Sequence, residues 1–168
     1  ANSEAVLSYF ADNGGNFIDT ADMYSEWGSG NVGGESETII GNWLKKRGGR
    51  DFLVIATKVA KLSTRRGLSA KNLQAACEDS LSRLQTDYID LYYAHEDDPQ
   101  TPLEETLGAF DSLIQSGKVR YIAASNFTAE RLQESLEVSR KNGFAAYVAA
   151  QDQFNPVSYT HLTLPTQA

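Results

Sequence analysis

Four residues, Asp19, Tyr24, Lys58 and His95, are of types that together could protonate an oxygen atom. A tyrosine, with a reference pKa of about 10, donates its proton poorly at neutral pH, but a neighbouring ammonium stabilises the phenolate that remains. Lys58 can supply that ammonium, Asp19 can keep it charged and fixed, and the imidazole of His95 can orient a carbonyl oxygen. The four residues therefore describe a general acid facing an oxygen that gains negative charge, which carbonyl reduction by hydride requires.

Each of the four also has an ordinary structural interpretation. Asp19 could cap the loop that follows it, and Tyr24 could be a half-buried aromatic. Lys58 could be a solvated strand end, and His95, which three acidic residues follow, could lie in an acidic surface loop. We favour the catalytic interpretation because the four residues stand at equivalent places in a pattern that repeats along the chain.

That pattern is an apolar stretch of strand type that ends at polar residues, and it occurs five times. In chain order the stretches and their end residues are 17–18 with Asp19 and Tyr24, 52–57 with Lys58, 88–94 with His95, 119–124 with Ser125 and Asn126, and 146–150 with Gln151. Polar residues at the carboxyl ends of parallel strands are where α/β proteins place their sites. Taken alone, the last three polar residues could equally begin a turn or end a strand without any further role.

Helical patterns separate the strands. Apolar residues recur at helical spacing in segments 2–11, 36–47, 69–84, 102–116 and 129–142. Ser69 and Thr128 are predicted N-caps, and Thr101, followed by proline and then by Glu104, predicts a capping box. The strict alternation of helix and strand predicts parallel strands joined by right-handed crossovers.

Two closures fit this alternation, an open doubly wound sheet and a barrel of eight units. A complete (β/α)8 barrel typically needs about 250 residues, so five strands in 168 residues would form an incomplete one. We predict an α/β fold of the incomplete (β/α)8 TIM barrel type, because polar residues recur at every strand end. An open sheet would instead concentrate its site at one switch point.

One glycine pattern points to a different kind of site. Gly28, Gly30 and Gly33 have the spacing of a dinucleotide-binding turn, and a predicted helix follows them. Such a turn should leave its strand directly, whereas these glycines begin nine residues after Asp19, and no acidic strand end lies about 20 residues further on. We therefore interpret the segment as a mobile loop over the site.

Composition excludes several classes of function. A formal net charge of -7 and a pI near 4.8 argue against a nucleic-acid partner. The single cysteine, Cys77, at an apolar position of a predicted helix, excludes a disulfide framework and indicates a reducing compartment. No apolar run reaches the roughly 20 residues that span a bilayer, and no signal peptide is recognisable. We expect a cytoplasmic protein without a metal site or a membrane partner.

Several stretches resemble the aldo-keto reductase family, in the family's order, over roughly residues 5 to 157. They are Asn16 to Ala21 with Tyr24, Ala56 to Lys58, Asp87 to Tyr92 with His95, Gly117 to Arg120 with Ala124 to Phe127, and Gln151 with Phe154 and Asn155. The resemblance implies a (β/α)8 barrel that reduces an aldehyde or ketone with NADPH, or with NADH. It also implies that Tyr24 is the acid, with Asp19, Lys58 and His95 completing a tetrad, and that Ser125, Asn126 and Gln151 hold the nicotinamide carboxamide.

The chain also departs from the family pattern, because it matches only part of the barrel. The matching region corresponds to strands 2 to 6 of the barrel, so we divide the chain into a partial barrel, 1–157, and a non-matching tail, 158–168, of foreign or frameshifted origin. Unclosed parallel strands leave two edges with unpaired backbone groups. We therefore expect the chain alone to be marginally stable and to bind cofactor poorly.

Two other functions stay open from the sequence. The first is non-catalytic, namely a regulatory subunit that binds NADPH or an inactive fragment. The second is an aldolase that forms a Schiff base through Lys58, although the nearby Tyr24 and Asp19 make this less attractive.

Overall fold

Among the described residues, five parallel strands form one curled sheet and alternate along the chain with five helices. The computed structural model describes residues 3–153. Its elements are α1 (Ser3–Asp12), β1 (Phe17–Asp19), α2 (Glu35–Arg47), a 3-10 turn (Arg50–Phe52), β2 (Val54–Val59), α3 (Ala70–Leu84), β3 (Ile89–Ala94), α4 (Leu103–Gln115), β4 (Val119–Ser125), α5 (Ala129–Asn142) and β5 (Ala150–Gln151). The predicted tail, 158–168, lies outside the described residues.

The strands pair in chain order, β1-β2-β3-β4-β5, and every pair is parallel. Consecutive order is that of a barrel, because a doubly wound sheet reverses its strand order at a switch point. The register places Asp19 opposite Ala56 and Lys58 opposite Tyr93. This topology confirms the predicted incomplete barrel.

A contact between the first and last strands shows how strongly the sheet curls. Four strand spacings of about 4.8 Å would separate β1 from β5 by roughly 19 Å in a flat sheet. The side chains of Gln151 and Asp19 nevertheless meet, with 3.4 Å between Nε2 and Oδ1. The five carboxyl ends therefore surround a common space, which is the geometry that a site shared between strands requires.

Alternation along the strands gives the sheet two different faces. The concave face carries a small apolar cluster of Ala56, Leu91, Tyr93 and Ala123. The opposite face packs on the helices and forms the main core, in which Ile55, Leu73, Tyr92, Leu107, Phe110 and Ile122 are fully buried. Because side chains two apart share a face, Lys58 follows Ala56 onto the concave side.

Helix starts agree with the sequence in two cases and differ in a third. Ser69 accepts the Asn72 N–H and Thr128 accepts the Arg131 N–H, which confirms both predicted N-caps. The capping box predicted at Thr101 is wrong: α4 begins after Pro102, and the Thr101 hydroxyl donates instead to Asp98 Oδ2 at 2.7 Å. The charge-assisted bond to Asp98 holds the Thr101 side chain in the loop, one residue before the N-cap position at Pro102.

Two strand predictions were displaced. The strand predicted as 52–57 begins only at Val54, because residues 50–52 form a 3-10 turn. It ends at Val59, so Lys58 lies inside β2 and not beyond it. The last strand, predicted as 146–150, contains only Ala150 and Gln151. Upstream of it, Tyr147 is buried against the rings of Phe110 and Phe127 and contributes to the core.

A charged network joins three strands near their amino ends. Asp90 is buried and accepts hydrogen bonds from Arg50 Nη2 at 2.6 Å, Arg120 Nη1 at 2.9 Å and the Ile55 N–H at 2.9 Å. Both guanidinium groups also lie over the Tyr88 ring, 4.1 and 3.9 Å from its centroid. These charges therefore stabilise the amino-terminal end of the sheet. The candidate catalytic residues lie at the opposite, carboxyl-terminal end.

Candidate active site

Backbone hydrogen bonds carry Tyr24 from the end of β1 to a position over β2. Beyond Asp19 the chain stays bonded to its neighbour, because the Thr20 N–H donates to Ala56 O at 2.9 Å and the Asp22 N–H donates to Lys58 O at 3.1 Å. A turn then begins at Ala21, whose carbonyl accepts the Tyr24 N–H at 3.2 Å. The five-residue interval between Asp19 and Tyr24 is therefore the length needed to cross to the next strand.

Lys58 is the centre of the site. Its ammonium donates to Asp19 Oδ2 at 2.6 Å, to Thr20 O at 2.9 Å and to Tyr24 Oη at 2.9 Å. Its side chain is 1% exposed, whereas that of Asp19 is 30% exposed. An ammonium has three donors, so each of them is used and the charge is fixed against the phenol oxygen.

His95 lies directly after β3, and its ring is edge-on to the ring of Tyr24, with centroids 5.9 Å apart and planes at 75°. Burial, reinforced by the charges of Lys58 and Lys61, lowers the pKa of His95 to about 4. The imidazole is therefore neutral at physiological pH and can donate one hydrogen bond and accept another. Its Nδ1 is buried and has no partner among the described residues.

Asn126 links the next strand end to His95. Its backbone is left-handed, with φ 57°, and its side-chain amide donates to His95 O at 2.8 Å and to Ser125 Oγ at 3.0 Å. The Asn126 N–H also donates to Asp152 Oδ1 at 2.9 Å, beyond the last strand. Ser125, Asn126 and Gln151 therefore lie on the same rim as the four residues around Lys58.

The structure adds two residues to this region that the sequence pattern did not single out. Asp22 is 1% exposed, and neither of its carboxylate oxygens has a partner in the described part of the chain. Trp27 is 75% exposed and stands edge-on to Tyr24, with ring centroids 6.2 Å apart. Their closeness in sequence to Tyr24 was the only signal that could have identified them.

The glycine-rich loop does not form a phosphate-binding turn. Strand β1 ends at Asp19 and helix α2 begins only at Glu35, after Gly34 in a left-handed conformation. The Glu35 carboxylate turns back and accepts the Val32 N–H at 2.8 Å. Its negative charge lies near the helix N-terminus, where a phosphate would otherwise bind.

The rest of the described chain carries neither a cluster of metal ligands nor a reactive cysteine. Among residues 3–153, no group of three or more His, Cys, Asp and Glu side chains could hold a metal ion. The helices of that region are all too short or too polar to cross a membrane. Cys77 is buried within α3, and burial raises the pKa of its thiol to about 12, so it is an unreactive core residue.

Comparisons with known proteins agree with the geometry. The sequence model of the family described as Aldo/keto reductase family matches residues 1–164. The chain is 34% identical over 180 residues to Protein tas of Escherichia coli, covering 92% of the chain and 52% of that protein. It is 38% identical over 164 residues to the uncharacterized oxidoreductase YrpG of Bacillus subtilis, covering 92% and 49%. It is also 34% identical over 161 residues to norsolorinic acid reductase B of Dothistroma septosporum, covering 90% and 39%. The chain thus spans about half the length, or less, of these relatives.

Proposed function

This chain belongs to the Aldo/keto reductase family, and we propose that the protein is an oxidoreductase that reduces aldehyde or ketone carbonyls to alcohols with NADPH, NADH being the alternative donor. The observation that carries the proposal is the 2.9 Å hydrogen bond from Lys58 Nζ to Tyr24 Oη. A buried ammonium fixed on a phenol oxygen stabilises the negative charge that develops there when the phenol gives its proton to a substrate, which is the support that a general acid needs.

Each residue then has a defined task. Tyr24 Oη donates its proton to the carbonyl oxygen of the substrate as negative charge develops there, and Lys58 stabilises the phenolate left behind. Asp19 keeps Lys58 charged and oriented. Neutral His95 donates a hydrogen bond that orients the same carbonyl oxygen before the proton moves.

The rim also fits a nicotinamide cofactor. Ser125, Asn126 and Gln151 supply a hydroxyl and two amides, a set of donors and acceptors complementary to a primary carboxamide. When bound there, NADPH is the source of the hydride that reduces the carbonyl carbon. We assign these three residues to holding the carboxamide, and Asn126 has the further task of fixing the backbone at His95.

The Schiff-base alternative is less consistent with the geometry. An aldolase lysine needs a neutral amine that a substrate can reach. Lys58 instead commits its ammonium to three acceptors and is almost completely buried. Its position supports an electrostatic role beside Tyr24.

Turnover with and without the phenol tests the proposed function. We expect the full-length protein to consume NADPH in the presence of aldehydes, and Tyr24→Phe in that protein to lower kcat by about 100- to 10,000-fold while leaving the affinity for NADPH unchanged. Cofactor absorbance measures the first effect and cofactor fluorescence the second. Tyr9→Phe, on the exposed face of α1, is the matched control and should have wild-type kcat. NADPH binding without turnover of any carbonyl would instead indicate the regulatory subunit.

A further inference from the structure

Trp27 is a large apolar side chain exposed at the mouth of the candidate active site. Three quarters of its surface is accessible, 75%, although it lies next to the proposed acid. Its ring meets that of Tyr24 edge-on, at 6.2 Å and 61°, so this contact leaves its faces available. Since burying apolar surface is favourable by about 25 cal/mol per Å², a ligand that covers Trp27 gains binding energy.

The loop that carries Trp27 is braced from both sides. The preceding residue, Glu26, accepts hydrogen bonds from the Ser63 N–H, at 3.1 Å, and from the Ser63 hydroxyl, which ties this loop to the one after β2. Within the loop, Ser25 O accepts the Gly28 N–H at 2.9 Å and the Asn31 side-chain amide at 2.8 Å. A loop held in this way loses little backbone freedom when a ligand packs on Trp27.

The neighbouring charges narrow the chemical class of that ligand. Glu26 is adjacent to Trp27 in the chain, whereas the charge of Asp19 on the same rim is balanced by Lys58. An anionic substituent beside Trp27 would be repelled by the Glu26 carboxylate. A neutral aromatic or bulky apolar substituent would not be.

We propose that Trp27 is a specificity-determining residue, whose ring forms the apolar wall against which the aromatic or bulky apolar substituent of a neutral carbonyl substrate packs while the carbonyl oxygen faces Tyr24. This inference rests on the proposed function and adds the substrate class to it. Trp27 takes no part in the proton transfer itself. Its effect is on substrate affinity, not on the chemical step.

A comparison of two aldehydes tests the assignment. Aromatic pairs contribute about 0.5 to 1.5 kcal/mol beyond their buried area, so Trp27→Ala should raise KM for benzaldehyde about three- to tenfold with kcat nearly unchanged. KM for propanal should stay within about twofold, and Trp27→Phe should restore most of the affinity for benzaldehyde. Phe52→Ala, at a similarly exposed aromatic before β2 at the other end of the sheet, should change neither KM. Equal changes for both aldehydes, or no change for either, would overturn the proposal.

A second measurement does not depend on turnover. The chain has two tryptophans, and Trp43 is buried, with its Nε1 bonded to Ser8 Oγ. The difference in fluorescence between the wild-type protein and Trp27→Phe therefore reports Trp27. With NADP⁺ present, which has no hydride to transfer, benzaldehyde should quench this difference signal saturably and propanal should not. Quenching by benzaldehyde that is only linear in its concentration would refute the contact, whether or not any carbonyl is turned over.

Discussion

Lys58 and Asp19 form an ion pair, but losing the partner charge costs the buried Lys58 more than the partly exposed Asp19. The ammonium of Lys58 is buried, whereas Asp19 reaches solvent with 30% of its side chain. A charge that water can reach tolerates the loss of its partner, and a buried charge does not. The two partners should therefore respond differently to neutral substitutions.

We expect Asp19→Asn to lower the free energy of unfolding by about 2 to 3 kcal/mol, because it leaves the buried ammonium without a counter-charge. Lys58→Met should change it by less than about 1 kcal/mol, since it removes the buried charge and keeps an apolar stem of similar length. Both should abolish most reductase activity. Urea unfolding followed by circular dichroism measures the free energies, and a larger loss for Lys58→Met would contradict this view of the pair.

Among individual residues, the sequence predicted best those whose chemical type alone suggests a role in the site. Asp19, Tyr24, Lys58 and His95 could be named because acid, phenol, amine and imidazole each follow an apolar stretch, and the structure brings them within contact of one another. Asp22 could not be, because a carboxylate in a polar turn is normally solvated. Asp22 is buried near Glu37 of α2 and Arg83 of α3, whose charges act on it, and the tertiary structure, not the local sequence, brings these residues together.

Helices α2 and α3 pack closely enough that one of them needs a glycine at the contact. A Cβ added at Gly41 would lie 2.1 Å from Arg83 O and 2.8 Å from Leu84 C, and both are backbone atoms that cannot move alone. At Gly108 in α4 the nearest atom is the Phe144 Cζ at 3.4 Å, an ordinary contact. The two glycines thus occupy similar helical positions with opposite surroundings.

Gly41→Ala should destabilise the fold by about 1 to 2 kcal/mol, because the overpacking cost of about 1 to 3 kcal/mol exceeds the gain in helix propensity of roughly 0.5 to 1 kcal/mol. Gly108→Ala gains the same propensity without the clash and should be neutral or stabilising. Thermal unfolding of the two variants beside the wild type gives the comparison. A Gly41→Ala protein as stable as Gly108→Ala would show that the two helices separate at little cost.

Elements were predictable where local chemistry decides them and not where distant neighbours do. Ser69 and Thr128 cap their helices as predicted, since a hydroxyl three residues before a free N–H needs no outside help. Thr101 does not cap α4, because the N-cap is Pro102 and the Thr101 hydroxyl is held in the loop by Asp98. The segment before Gln151 reads as strand, and the backbones of Val148 and Ala149 do bond to β4, but Tyr147 packs into the core and the regular strand is limited to Ala150 and Gln151.

Across the whole molecule, two buried titratable groups oppose each other in their response to pH. Burial, with repulsion from Glu37, raises the pKa of Asp22 to about 7, against weaker attraction from Arg83 and Arg65. Glu37 itself is fully buried and bonded to Arg83 and Thr57. Burial acts on His95 in the other direction and lowers its pKa to about 4.

The pKa shifts of Asp22 and His95 change the free energy of unfolding in opposite directions as the pH rises. Asp22 holds its proton in the folded state up to about pH 7 but releases it in the unfolded state near 3.8, so its contribution is present below 3.8 and is lost as the pH rises through 7. His95 stays neutral when folded but is protonated when unfolded below 6.5, so its contribution is present above 6.5 and is lost as the pH falls towards 4. Between about pH 4 and pH 6.5 the two effects offset each other.

The substitution Asp22→Asn should separate the effect of Asp22 on stability from that of His95. The neutral amide removes the cost of ionising a buried carboxyl, so the variant should exceed the wild type in free energy of unfolding by up to about 4 kcal/mol near pH 8 and by little near pH 4. It should also gain stability as the pH rises from about 4 to 6.5, since only the His95 effect remains. Urea unfolding at a series of pH values measures both curves, with His95→Gln as the counterpart that should lose stability as the pH rises through the same range. A constant difference between Asp22→Asn and the wild type at every pH would mean that Asp22 is ionised throughout and that another group compensates its charge.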